Sequence, residues 1–167
     1  TYLDNAATTQ KPVVMLERMQ RFYEEQNANI NRGMHPLAEE ATVAYEDARK
    51  KVAAFIGAAH PSEIIFTRNA TEAINLAARS YGECLHENDS IALSLLEHHS
   101  NIVPWLQLKK RNSIAIEWIE LQQDGRLDLQ SLEKILKKGK TKLVSIAGLS
   151  NVLGVCTPLE EIIALAL

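Results

Sequence analysis

The segment Ser90-Ile91-Ala92-Leu93-Ser94-Leu95-Leu96-Glu97-His98-His99-Ser100-Asn101 decides the fold. Its apolar run predicts a buried strand over 90–96, and the stretch that follows, 101–110, can form a helix. His98 and His99 therefore stand where a parallel strand passes into a helix. Because open α/β sheets bind their ligands at the carboxyl edge of the strands, these imidazoles are candidates for a binding site.

Strand and helix patterns alternate through the later part of the chain, whereas the first part predicts only helices and ends at Gly57. Strands separated by helices of about 10–15 residues are typical of a mostly parallel sheet. We therefore expect an α/β fold with a mostly parallel (mixed) sheet flanked by helices. The expected strands are 63–67, 90–96, 114–119 and 142–147; the expected helices are 12–23, 37–56, 70–85, 101–110, 128–138 and 158–167, with a polar loop at 24–33.

The composition favours a soluble globular domain. The 167 residues are 46% hydrophobic and 23% charged, and the net charge of −3 argues against a nucleic-acid partner. No apolar run approaches the roughly 20 residues of a membrane helix, and we expect no leader segment at the beginning of the chain. Cys84 and Cys156 form no metal or disulfide pattern, so we expect no metal site and a reducing, cytoplasmic setting.

The last helix begins at Pro158 and shows no stop signal before Leu167. We therefore expect residues 1–167 to be part of a longer domain. Within it, 1–57 forms an N-terminal helical segment and 58–167 the alternating strand and helix portion.

A second loop joins the first expected strand to the helix that begins near Ala70. Free backbone N–H groups at Ala70, Thr71 and Glu72, together with the Thr71 hydroxyl, would suit a phosphate. Ordinary capping of the helix by Asn69 or Thr71 explains the same residues and is the commoner case.

The remaining candidates also have ordinary alternatives. His98 can face a ligand, or one of the two histidines can lie in the core; a shared metal ion is not expected, because neighbouring side chains on an extended segment point to opposite faces. Asn151, in the loop 148–154, can recognise a phenolic oxygen or a carboxylate, or simply form a turn. Arg32, next to Asn31, can pair with a carboxylate or phosphate, although most surface arginines are only solvated.

Taken in this order, the loops resemble those of the class V aminotransferase family, specifically the group II (Suf-type) cysteine desulfurases and selenocysteine lyases. The resemblance implies the large domain of a fold-type I transferase, truncated here, with pyridoxal 5'-phosphate as cofactor and a homodimer as the full-length form. The matching segments are Tyr2-Leu3-Asp4-Asn5-Ala6-Ala7-Thr8, Arg32-Gly33-Met34-His35, Arg68-Asn69-Ala70-Thr71-Glu72-Ala73-Ile74-Asn75, Glu97-His98-His99-Ser100-Asn101-Ile102-Val103-Pro104-Trp105 and Ser150-Asn151-Val152-Leu153-Gly154.

The resemblance also implies residue roles. His98 would stack on the pyridine ring and assist proton transfer, and Thr71 with the Ala70 amide would hold the cofactor phosphate. Asn151 would contact the phenolic oxygen or the substrate carboxylate, and Asn31 and Arg32 would make weaker substrate contacts. The chain departs from many relatives by having Ala70 in place of Thr, and from several by having Asn31 in place of His.

The implied reaction converts L-cysteine to L-alanine and leaves sulfur as an enzyme persulfide, which passes to a sulfur-acceptor protein for iron-sulfur cluster assembly. The family places the Schiff-base lysine and the catalytic cysteine further along than Leu167, so the isolated chain is expected to be inactive. The alternatives are a selenocysteine lyase or another class V aminotransferase-fold enzyme and, from a different class, a non-catalytic binding or assembly module.

Overall fold

The computed structural model describes residues 1–167 as two compact units, 1–66 and 67–167. The first unit is helical. Helix α1 (Val13–Arg21) continues into a π-helical turn (Phe22–Gln26), and helix α2 (Pro36–Ile56) follows. The polar loop predicted over 24–33 is therefore wrong at its beginning, because polar residues are equally compatible with an exposed helical turn.

Local sequence explains both ends of α2. Pro36 occupies the first helical position, where its missing N–H costs nothing, and His35 Nδ1 accepts the N–H of Ala38 at 3.3 Å. At the other end Gly57 has φ 73°, the left-handed conformation that glycine adopts without strain. The predicted helix and its stop at Gly57 are confirmed.

The strand predicted over 63–67 does not form. Pro61–Glu63 is a 3₁₀ turn, and the residues after it run without a neighbouring strand. The guanidinium of Arg49 donates to the Ile64 carbonyl instead and lies over the rings of Tyr45 and Phe66. The segment thus packs on α2, and it belongs to the first compact unit, which ends at Phe66.

The second unit is built on a three-stranded sheet. Strands β1 (Ser90–Ser94), β2 (Ala115–Ile119) and β3 (Thr141–Ser145) are all parallel, in the spatial order β2-β1-β3. This confirms the predicted parallel sheet flanked by helices, although β1 ends before Leu95. The helices are α3 (Ala70–Gly82), α4 (Val103–Asn112), α5 (Leu129–Leu136) and α6 (Leu159–Ala166), and a 3₁₀ turn (His99–Asn101) precedes α4.

Alternation along β1 divides the core between the two faces of the sheet, because successive strand side chains point to opposite sides. Ile91 and Leu93 belong to a buried cluster with residues of α3 and α4, whereas Ala92 belongs to another with residues of α5 and α6. The central strand is therefore buried on both faces, as a parallel sheet requires. Nowhere does the structure contain a helix both long and apolar enough to cross a membrane.

Candidate functional site

The beginning of α3 offers three unused hydrogen-bond donors. The Asn69 side chain accepts the N–H of Glu72 at 2.9 Å, so the expected capping by Asn69 is present and Glu72 is not a free donor, contrary to the prediction. The N–H groups of Ala70 and Thr71 and the Thr71 hydroxyl have no partner within the chain and face solvent. Capping and anion binding therefore use different groups of the same helix end.

Arg68 controls the charge at this helix end. Its backbone N–H donates to the Glu72 carboxylate at 2.7 Å, and its guanidinium contacts the same group at 3.0 Å. The side-chain hydrogen bond from Arg68, followed by the backbone one, lowers the pKa of Glu72. The carboxylate is thus paired with a cation, which limits its repulsion of an anion at the helix end.

Contacts at the far end of α3 give its direction. The Tyr81 hydroxyl donates to the carbonyl of Lys142 at the beginning of β3, at 2.9 Å. The Asn112 side chain, at the end of α4, donates to the Gly82 carbonyl at 2.7 Å. Because the end of α3 lies at the amino end of the sheet, its beginning points toward the carboxyl edge, where the strands end.

His98 lies at that edge, four residues after the end of β1. Both histidines are exposed, so neither is a core residue. Nδ1 of His98 accepts the backbone N–H of Ser100 at 3.2 Å and lies 2.8 Å from the Ser100 hydroxyl. Since a backbone N–H can only donate, the neutral ring carries its proton on Nε2. Nε2 is therefore the nitrogen left to face a ligand.

Asn151 is held at the tip of the loop that follows β3. The buried Ser150 hydroxyl accepts the N–H groups of Val152 and Leu153 at 3.3 and 3.2 Å, and the Ser150 N–H donates to the Val155 carbonyl at 3.0 Å. The exposed Asn151 side chain makes no hydrogen bond within the chain, so both its oxygen and its nitrogen can bind a ligand.

A buried polar network, which the sequence patterns did not predict, connects the loops after β1 and β3. Glu97 accepts the Ala147 N–H at 2.9 Å and the Asn101 amide at 2.7 Å. Asn101 in turn accepts the Trp105 indole N–H at 2.9 Å. The spacing of four residues between these side chains was the available signal, because it places them on one side of a helical segment.

The structure thus brings four of the predicted site residues to one edge of the sheet: Ala70, Thr71, His98 and Asn151. Asn31 and Arg32 belong to the other compact unit. Asn31 has φ 61° and donates its N–H to the Thr42 hydroxyl at 2.9 Å, while Arg32 is exposed and forms no ion pair. No group of three or more potential metal ligands is present.

The family model described as aminotransferase class V matches residues 1–167. This chain therefore belongs to the class V aminotransferase family. A protein named "Probable cysteine desulfurase" from Synechocystis sp. is 48% identical over 166 residues, which are 99% of this chain and 39% of that protein. The chain spans about two fifths of the length of this relative and of two further curated relatives that it matches.

Solved structures agree with this assignment. The apo structure of a cysteine desulfurase from Thermococcus onnurineus NA1 superposes with a TM-score of 0.93 and 41% sequence identity, covering 99% of this chain and 40% of that one. A structure described as SspA in complex with cysteine gives a TM-score of 0.88 and 30% identity, covering 99% of this chain and 47% of that one. The fold is thus that of desulfurase structures, represented in part.

Proposed function

We propose that this chain forms the cofactor-binding part of a pyridoxal 5'-phosphate-dependent cysteine desulfurase that acts on L-cysteine. The observation that carries the proposal is the convergence of an unpaired helix N-terminus, the His98 ring and the Asn151 amide at one sheet edge. The names of the relatives support the reaction, and the cysteine held by the SspA structure supports the substrate. The two free thiols fit a cytoplasmic setting.

The residues present fit this cofactor. A helix N-terminus with unpaired N–H groups favours a phosphate, and the Thr71 hydroxyl adds a donor. Ala70 contributes only its amide, because it lacks the hydroxyl that many relatives carry there. When bound, pyridoxal phosphate supplies an electron sink for negative charge that develops on the substrate.

The protein side of the chemistry follows from hydrogen-bond directions. We assign the His98 ring to stacking on the cofactor, with Nε2 as the position at which it holds or transfers a proton. Asn151 donates to an oxygen of the ring or of the substrate carboxylate. Asn31 and Arg32 are proposed as weaker substrate contacts. The resemblance further predicts a homodimer and a sulfur-acceptor protein, and both stay predictions.

The test uses the complete product of the gene, purified and titrated with pyridoxal phosphate. We expect saturable binding and, with L-cysteine, formation of L-alanine. Thr71→Val removes one hydrogen bond to a charged group, which should weaken cofactor affinity by about tenfold or more, whereas Thr71→Ser keeps the hydroxyl. Failure to bind the cofactor, or binding without any alanine, rejects the proposal.

His60 offers a matched control for His98. Its Nδ1 also accepts the N–H of a serine two residues later at 3.2 Å, so His60→Gln disturbs the same local geometry in the other compact unit. We expect His98→Gln to lower the rate of alanine formation and His60→Gln to leave it unchanged. Equal effects of the two substitutions would show that His98 acts only as a cap.

The 167-residue chain itself is proposed to bind the cofactor weakly and without a covalent bond, since none of its lysines matches the family's lysine motif. Borohydride reduction of the mixture, followed by mass spectrometry, checks this. Unmodified protein is the expected result. A single lysine that carries the cofactor stoichiometrically would refute it.

A further inference from the structure

Glu97 is a buried carboxylate for which the proposed function gives no role. Only 9% of its surface is exposed, and it forms no ion pair. Three donors surround it instead. Oε1 accepts the Ser94 hydroxyl at 2.5 Å and the Ala147 N–H at 2.9 Å, and Oε2 accepts the Asn101 amide at 2.7 Å. Burial of a carboxylate costs desolvation free energy, and this cost is offset only when the carboxylate oxygens have a complete set of hydrogen bonds.

Each bond of this network connects a different part of the sheet edge. Ser94 is the last residue of β1, and Ala147 follows β3 on the way to the loop of Asn151. Asn101 completes the connection on the other side, because its oxygen accepts both the Trp105 indole at 2.9 Å and the Ser145 hydroxyl at 2.7 Å. The carboxylate and amide therefore fasten the turn that carries His98 to the end of β3.

We propose that Glu97 and Asn101 are positioning residues, whose buried carboxylate–amide pair fixes the His98 ring relative to the Asn151 loop. Neither side chain needs to touch a ligand, because each is enclosed by protein groups. The inference rests on the proposed function in so far as these two loops face a cofactor. It adds that their separation is set by one pair of side chains rather than by the sheet alone.

The experiment reverses the polarity of the pair. In Glu97→Gln the introduced NH₂ group faces the NH₂ group of Asn101. Both groups can only donate, so at least the hydrogen bond between positions 97 and 101 is lost. The double variant Glu97→Gln with Asn101→Asp restores every bond, since the amide introduced at position 97 then donates and the carboxylate introduced at position 101 accepts. The matched control is Glu117→Gln, which removes a carboxylate of β2 that is bonded to Lys138.

Two measurements on the complete gene product are independent of catalysis. In cofactor-free, ¹⁵N-histidine-labelled protein, the His98 ring nitrogens, assigned with His98→Gln, report its tautomer and surroundings. The Trp105 indole N–H, labelled with ¹⁵N-tryptophan and assigned by its loss in Trp105→Phe, reports the network itself. Pyridoxal phosphate affinity is the third measurement.

We expect Glu97→Gln to shift both signals and to weaken pyridoxal phosphate binding by about tenfold, and the double variant to return within about threefold of the wild type. Glu117→Gln should change none of them. The inference is overturned if Glu97→Gln behaves like this control, or if the double variant is no better than Glu97→Gln. Absence of cofactor binding by the wild type would reject the proposed function, and the cofactor-free His98 signals would still decide the inference.

Discussion

Replacement of Leu93 by alanine should destabilise the central strand strongly, because Leu93, a residue of β1, has no exposed surface and belongs to the buried cluster formed with helices α3 and α4. The change removes three carbon atoms, worth about 2.4 kcal/mol at roughly 0.8 kcal/mol for each buried methylene. The cavity left behind adds to this cost, so we expect about 3 kcal/mol, within the usual range of about 2–5 kcal/mol.

Leu95 is the matched control, since it is a leucine of the same apolar run but is 56% exposed. Leu95→Ala should change stability by less than about 0.5 kcal/mol. Amide hydrogen exchange of residues 90–94 in the complete gene product gives the local free energy of opening without a need for two-state unfolding. A cost of about 3 kcal/mol corresponds to about 100-fold faster exchange in Leu93→Ala. Equal exchange in the two variants would refute the assignment of Leu93 to the core.

Two further predictions concern helix ends. Asp128 accepts the N–H of Gln130 at 2.9 Å, so Asp128→Ala should cost about 1 kcal/mol, seen as roughly fivefold faster amide exchange in α5, whereas Asp128→Asn should not. Because the pKa of Glu72 is lowered by Arg68, its stabilising effect is complete above its ordinary value of 4.5 and is lost as pH falls through the lower folded value. The melting temperature of Glu72→Gln should therefore lie below that of the wild type at pH 7 and approach it in acid; a constant difference would contradict this.

The sequence predicted the elements whose signals are local. The end of α2 at Gly57 and the cap of α5 at Asp128 each depend on one residue's own conformation or side chain. The predicted strand over 63–67 failed because extended backbone becomes a strand only beside another strand. There the Ile64 carbonyl is bonded by Arg49, far back in α2, and nothing in the local pattern indicates that partner.

The candidate site shows the same limit. His98, Thr71 and Asn151 could be proposed because each follows or begins a predicted element at the ligand-binding edge. The connection through Glu97 could not, since its partner Ala147 lies fifty residues away and contributes a backbone N–H, which every residue type but proline possesses. Sequence patterns locate side chains on elements, whereas backbone partners become visible only when the elements are assembled.

The order β2-β1-β3 leaves both outer strands with one row of backbone N–H and C=O groups that no strand of the described chain pairs. An extended peptide from any source can complete such a row. The association state of the 167-residue chain by itself should therefore depend on its concentration: dilution and low temperature favour separate molecules, while high concentration favours edge-to-edge association. The concentration and temperature suited to this 167-residue chain thus follow from the order of its strands.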